Sequence, residues 1–469
     1  MTETIEIPVW LLAVGGFAAA IAVLDRVLGP SVKWLFRRRF YRAVDRLNER
    51  LSLRIQPFKL VRRRALIDRL TYDPEVTQAA EDHIRETGMP RDLVIKQVEA
   101  YAREIVPSFS AMMYFGVGAR VSRWISRFLY RVRLGSFDQK ALSEIDPEAA
   151  VVFVMNHRSN VDYLLVTYLA AESSALSYAV GEWARVWPLS RLIRAMGAYF
   201  IRRRSRDGLY RTVLRRYVQL ATEGGVAQAI FPEGGLSRDG RLGPPKLGLL
   251  SYIVSGFDPT KDRDVLFVPV GLNYDRVLED RILIGAEKAR DGGARFKVSI
   301  LRSLMFVGRY VIGRITGRRH RFGYACVSFG APVSLRSFAS DNPGDATEAL
   351  GVLLAQRIGR VVPVLPTPLV ASVFLEDSNA ALSLDQIKTR AGQLAEALEA
   401  KGAHSHIPRA DFDYGVDVGL RMLVLRHIVI KDGDSYRAAP DNLDVLAYYA
   451  NSLAHWDEVA ADGPTITVS

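Results

Sequence analysis

Apolar and polar positions divide the chain into regions of different period. Ile7 to Leu24 holds eighteen residues without a charge, close to the minimum for a helix that spans a bilayer; an interfacial or buried helix fits the same run. Residues 41–70 read as helical and arginine-rich, with Arg62, Arg63 and Arg64 on a solvated or membrane-facing side. Thr71-Tyr-Asp-Pro opens a helical stretch towards Arg103, which Gly88 and Pro90 divide in two. Phe109 to Leu134 mixes aromatics with Arg120, Arg123, Arg127 and Arg131, whose spacing predicts one basic helical stripe, interfacial or solvated. Residues 135–147 read as a linker. From 150 the period alternates. Apolar runs at 150–155, 176–180, 198–202, 226–231, 265–271 and 324–329 predict strands, and 162–171, 188–196, 207–223 and 246–255 predict helices. Phe296 to Arg321 reads as a basic amphipathic helix or hairpin in an interface, or as a core helix. Beyond Asp345 the pattern is helical, with a β-like excursion near Val424 to Tyr436.

These patterns predict an α/β fold: a layered, mostly parallel sheet flanked by helices, with an N-terminal membrane helix, a helical lead-in and a helical C-terminal extension. The expected division is a membrane anchor at 1–30, a basic helical region at 31–140, the α/β domain at 141–340 and a helical region at 341–469.

Charge narrows the partners. Among 469 residues, Lys and Arg total 63 against 51 Asp and Glu, a net charge of +12. Such a chain suits membrane lipid, phosphorylated small molecules or nucleic acid. No aromatic-bearing RNA-binding strand and no helix-turn-helix is present, so nucleic acid is not expected. Cys326 is the one cysteine, which excludes intrachain disulfides and Cys-rich metal sites. The residues ahead of the first apolar run are acidic (Glu3, Glu6), and Lys33, Arg37, Arg38, Arg39 and Arg42 follow it. The positive-inside bias then puts the N-terminus outside and the bulk of the chain in the cytoplasm.

Four stretches carry candidate chemistry. Val151 to Met155 reads as a buried strand running into Asn156-His157-Arg158-Ser159-Asn160-Val161-Asp162, with a helix starting near Asp162. Five residues of helix turn about 500°, so His157 and Asp162 do not share a helix face. They meet only if His157 stays in the loop and Asp162 opens the helix. A carboxylate that holds an imidazole makes it a general base; the same stretch also reads as a helix N-terminus capped by Asn160 or Asp162. Next, Gly197-Ala-Tyr-Phe-Ile ends in Arg202-Arg203-Arg204, guanidiniums suited to phosphate oxygens or to a solvated strand end. Third, Phe231-Pro-Glu233-Gly234-Gly235-Leu236-Ser237-Arg238 puts a carboxylate, glycines and anion-binding groups after a strand, with Lys246 following Pro244-Pro245. Last, Leu266 to Tyr274 reads as a pocket-wall strand whose Pro269 predicts an edge or a bulge.

In order and spacing the four stretches resemble the motifs of the glycerolipid acyltransferases, His-x4-Asp and Phe-x-Glu-Gly-x-x-Ser-Arg among them. The chain is most similar to the bacterial membrane-bound glycerol-3-phosphate 1-O-acyltransferases, through His157 to Leu165, Gly197 to Arg203 and Glu233 to Arg241. The resemblance covers about 70–350 well and the C-terminal third weakly. It implies that His157 is the base and Asp162 its orienting partner. Arg203, Ser237 and Arg238 would meet the acceptor phosphate with Lys246 in support, and Glu233 and Gly234 would shape the acceptor pocket. It implies no cofactor and no metal; acyl-CoA or acyl carrier protein is the cosubstrate, glycerol-3-phosphate the acceptor, and membrane lipids the surroundings, at a bacterial inner membrane with the catalytic domain facing the cytoplasm. Leu236 stands where the family usually has Arg. Two other readings accompany this one: acylation of lysophosphatidate, and a non-catalytic basic membrane-surface protein.

Overall fold

The computed structural model describes residues 55–457 apart from 138–140, 142–143, 171–173, 182–188, 203–204, 206, 292–312, 314–320 and 345. The apolar run at 7–24, the basic cluster at 33–42, most of the 296–321 segment and Arg203 lie outside the described residues. Among the described residues no helix is long and apolar enough to cross a membrane.

After a single helical turn at Pro57–Leu60, three longer helices lead in: α1 (Arg63–Thr71), α2 (Pro74–Thr87) and α3 (Arg91–Ile105). Asp73 caps α2 by accepting from the Glu75 N–H at 3.1 Å, and Gly88 ends it in the left-handed region at φ 67°. The Nε of Arg63 donates to the Val106 carbonyl at 3.0 Å, so this arginine closes the end of α3 instead of facing solvent or lipid. A π-helix, Met112–Gly118, runs into α4 (Ala119–Leu129). The predicted basic stripe is one arginine too long. Tyr130 turns extended at φ −127°, ψ 161°, and Arg131 enters strand β1 (Arg131–Phe137).

The sheet then follows: β2 (Ala150–Met155), α5 (Asp162–Ala170), β3 (Ser177–Val180), β4 (Tyr199–Phe200), α6 (Gly208–Glu223), β5 (Gln228–Ile230), α7 (Gly248–Val254), β6 (Val265–Tyr274), α8 (Asp280–Asp291), β7 (Tyr324–Phe329) and β8 (Val333–Ser334). The strand order is β1-β7-β6-β2-β5-β3-β4, with β8 also on β6. From β6 through β2, β5 and β3 to β4 the pairs are parallel; β7 and β8 run antiparallel to β6. Strand β2 is buried along its whole length, as a central strand covered on both faces must be. Its Ala150, Val152 and Val154 enter the core under α1–α3 and α6; Val151, Phe153 and Met155 enter the opposite core.

Pro269 lies in the middle of the sheet and not at its edge. Strand β6 meets β8 at Leu266 and Phe267 and β7 from Val270 onward. Pro269 falls in the gap between these partners, where a missing N–H costs no ladder bond.

The C-terminal helices are α9 (Thr347–Val361), α10 (Pro366–Glu376), α11 (Leu384–Ala400), α12 (Phe412–Leu425) and α13 (Leu443–Ala450). The β-like excursion is the hairpin β10–β11 (Val429–Asp432, Ser435–Ala438), which pairs with β9 (Leu382–Ser383). These helices share the core of the sheet. A side chain at Gly271 of β6 would come within 2.3 Å of the Val361 carbonyl of α9, and Val277 N–H donates to the Tyr449 hydroxyl at 3.1 Å.

Candidate active site

The site begins where β2 ends. Asn156 uses its side-chain amide as a substitute peptide: Nδ2 donates to the Leu272 carbonyl at 2.9 Å, and Oδ1 accepts from Leu272 N–H at 2.8 Å. This extends the β2–β6 seam by one residue and releases His157 into the loop. Helix α5 starts at Asp162, so the pair is split between loop and first turn as the five-residue spacing requires.

His157 Nδ1 lies 2.9 Å from Asp162 Oδ2, with the histidine 2% and the aspartate 0% exposed. The N–H groups of Arg158 and Ser159 also donate to Oδ2, at 2.8 and 3.0 Å, and the Tyr274 hydroxyl donates to Oδ1. Surrounded by donors, Asp162 is an acceptor, so the Nδ1 proton belongs to the imidazole and Nε2 is left with its lone pair. Nε2 has no hydrogen-bond partner among the described residues. The ring is clamped by Phe231, stacked at 4.0 Å between centroids, and by the edge of Tyr163 at 5.4 Å.

Two further carboxylates hold the loop. Glu233 accepts from His157 N–H at 3.0 Å and from Gly243 N–H at 3.1 Å. Burial is the main influence on it and outweighs those two donors, raising the carboxyl to about 7. Glu279 accepts from Ser159 Oγ at 2.7 Å and from Asn160 Nδ2 at 3.1 Å; burial raises it too. Arg158 is 2% exposed, donates to the Gly240 carbonyl and lies 5.2 Å from the ring centre of Tyr448 in α13.

The rings beside His157 form part of the wall of a cavity of about 600 Å³. Its interior is largely apolar, with Val154, Ile201, Leu214, Ile230 and Leu354, and the cations Arg202, Arg211, Arg215 and Lys246 also line it. Arg202 is already gripped by Glu104, at 2.9 and 2.6 Å.

The structure thus brings together His157, Asp162 and Glu233 and places Gly234 and Lys246 on the cavity. Gly234 sits at φ 63°, and a side chain there would come within 2.9 Å of Lys246 Cδ. It does not bring Ser237 and Arg238 there. Ser237 Oγ donates to the Arg241 carbonyl at 2.8 Å and accepts from Gly240 N–H at 3.1 Å, which closes the turn. Arg238 is half exposed and pairs with Glu287 at 3.5 Å. Leu236 packs against the core. Sequence reasoning missed Asn156, Tyr274 and Glu279. The signal for Tyr274 was available, as a polar tip closing an apolar strand; Glu279 has no local signal.

Two family models match the chain. Residues 138–273 match the one described as Acyltransferase. Residues 312–456 match the one described as Glycerol-3-phosphate acyltransferase C-terminal region. Among curated relatives, the glycerol-3-phosphate acyltransferase of Aeromonas hydrophila is 28% identical over 423 residues, covering 85% of this chain and 50% of that protein. The enzyme of the same name from Pseudomonas entomophila is 28% identical over 419 residues, covering 84% and 49%. The chain therefore spans about half the length of these relatives. The crystal structure of a 1-acyl-sn-glycerophosphate acyltransferase from Thermotoga maritima aligns over 63% of this chain and 94% of that one, at 16% identity and a TM-score of 0.31.

Proposed function

We propose that the protein transfers a fatty acyl group from a thioester to the sn-1 hydroxyl of glycerol-3-phosphate, giving lysophosphatidate. The observation that carries this reading is the Asp162-held imidazole beside a largely apolar, cation-lined cavity. His157 Nε2 takes the proton from the acceptor hydroxyl as its oxygen attacks the thioester carbonyl carbon. Asp162 stabilises the imidazolium that forms. When the C–S bond breaks, the imidazolium returns the proton to the departing thiolate. No resident cofactor takes part; the thioester, acyl-CoA or acyl carrier protein, is a cosubstrate.

The apolar interior suits the acyl chain, and Lys246 suits the acceptor phosphate. From the resemblance, Arg203 and Arg238 join Lys246; Arg238 does so by leaving Glu287. Glu233 and Ser237 act by shaping the loop. The acyl chain arrives from a membrane. Met112, Val117, Val121 and Trp124 are 75, 43, 42 and 62% exposed, and α4 keeps Ser122, Ser126 and Leu129 buried on its other side. An apolar ridge flanked by Arg120, Arg123 and Arg127 fits an anionic lipid surface, at the cytoplasmic face of a bacterial inner membrane.

The test is an acyl-CoA assay with glycerol-3-phosphate, lysophosphatidate and dihydroxyacetone phosphate side by side. The expected result is preference for glycerol-3-phosphate and loss of turnover in His157→Ala. Turnover that survives in His157→Ala overturns the base, and preference for lysophosphatidate overturns the acceptor.

A further inference from the structure

A second cavity, of about 330 Å³, lies at the β1 edge of the large sheet. Its walls are Arg131 and Arg133 of β1, Tyr324 at the start of β7, His406, Pro408 and Arg409 from the segment before α12, and Tyr414 in the first turn of α12. It shares no residue with the first cavity. Arg131 and Arg133 are two apart on a strand and therefore point to the same side. Their guanidinium carbons lie 5.6 and 5.7 Å from the ring centre of Tyr324, and that of Arg409 lies 4.2 Å from the ring centre of Tyr414.

What the cavity lacks is as informative as what lines it. None of the three arginines has a carboxylate within ion-pairing distance among the described residues, and no acidic side chain lines the space. Asp275, behind Tyr324, is occupied: its oxygens accept from the N–H groups of Tyr324 at 2.7 Å and Thr367 at 3.0 Å. His406 Nε2 is buried and has no hydrogen-bond partner among the described residues. Burial first, and then the charges of Arg133 and His404, hold this imidazole below its usual range. Arg409 and Ala410 also sit at φ 61° and 55°, a left-handed conformation that residues other than glycine seldom adopt. Arg131 is held by the hydroxyls of Tyr324 and Tyr414, and no carboxylate among the described residues matches the charge of the three exposed guanidiniums.

We infer that this cavity binds a phosphate-bearing anion at a site separate from acyl transfer. Guanidinium forks match phosphate oxygens in pairs. The Tyr324 and Tyr414 hydroxyls and His406 Nε2 supply neutral partners around them. The volume suits a phosphorylated small molecule or the headgroup of an anionic phospholipid. Because β1 and the segment before α12 contribute opposite walls, a bound anion ties the sheet edge to the C-terminal region.

Calorimetric titration of the full chain tests this, with inorganic pyrophosphate in one arm and vesicles of phosphatidate in phosphatidylcholine, against phosphatidylcholine alone, in the other. Lys246→Gln is the background, so that anion binding in the first cavity is weakened throughout. Adding R133Q and R409Q is expected to weaken binding at least tenfold. The ligand-free melting temperature should hold, since both side chains are exposed and without a carboxylate partner among the described residues. If the glutamine protein does not fold, R133K with R409K carries the test; it keeps charge, loses the fork, and should bind several-fold more weakly. Arginine-dependent binding in the pyrophosphate arm alone identifies a soluble anion, and in the phosphatidate arm alone a headgroup. Equal affinity with and without the substitutions in both arms overturns the site.

Discussion

Asp162→Asn isolates the charge in the His157 partnership while leaving its geometry in place. Three N–H groups converge on one carboxylate oxygen, from His157 Nδ1, Arg158 and Ser159. They will orient the asparagine with its carbonyl oxygen towards them, so the imidazole keeps its tautomer. Its amide then faces Tyr274, whose hydroxyl loses its acceptor; a buried donor left unpaired costs about 1–3 kcal/mol of stability. The catalytic cost is electrostatic. With charge centres roughly 4 Å apart at an effective dielectric near 20, carboxylate and imidazolium attract by about 4 kcal/mol. Losing that attraction slows proton abstraction by about a thousandfold. The assay is thiol release from acyl-CoA with glycerol-3-phosphate, for wild type, D162N, H157A and the double variant. In the H157A background D162N should cost less than about threefold, because no imidazolium remains to be stabilised. A D162N enzyme within tenfold of wild type refutes the reasoning, as does full additivity in the double variant.

Three other outcomes follow from the structure. The raised Glu233 carboxyl favours its protonated form in the folded state, so its contribution is complete below the ordinary value of 4.5 and is lost as pH rises through about 7. At about 1.4 kcal/mol per pH unit, the urea-unfolding stability of wild type minus that of Glu233→Gln should fall by up to about 3 kcal/mol over that range; a flat difference contradicts it. Gly240 sits at φ 91°, where a side chain would lie 1.9 Å from the Tyr448 carbonyl. Gly240→Ala should therefore cost roughly 3 kcal/mol or more and abolish turnover, and equilibrium unfolding within 1 kcal/mol of wild type counts against it. Trp124→Ser removes the most prominent ring of the exposed ridge. Cosedimentation with anionic vesicles should weaken by about tenfold or more, in line with the roughly 1.5–3 kcal/mol gained on burying a large apolar side chain; undiminished binding puts the contact elsewhere.

Parts of the site were legible because they are local. His157 and Asp162 are five residues apart, and the loop-to-helix corner between them is dictated by a strand that must end and a helix that must begin. The rigidity of the corner was not legible, because its braces come from far along the chain: Glu233 on the His157 N–H, Glu279 on Ser159 and Asn160, and Tyr274 on Asp162. For Ser237 and Arg238 the resting partners were not legible either: Ser237 Oγ donates within its own turn and Arg238 pairs with Glu287. Arg131 misled by its spacing, which continues the helical stripe past the residue where Tyr130 turns extended.

By itself the sequence determined the alternation of strands and helices, the buried central strand and the His157–Asp162 corner. All of these depend on residue period, side-chain volume and separations of a few residues. Only the tertiary structure decided that the C-terminal helices share the core of the sheet, which cations line the first cavity, and that Arg131, Arg133 and Arg409 surround a second. Those facts rest on which distant segments pack together, and packing is settled by the whole set of surfaces competing for burial.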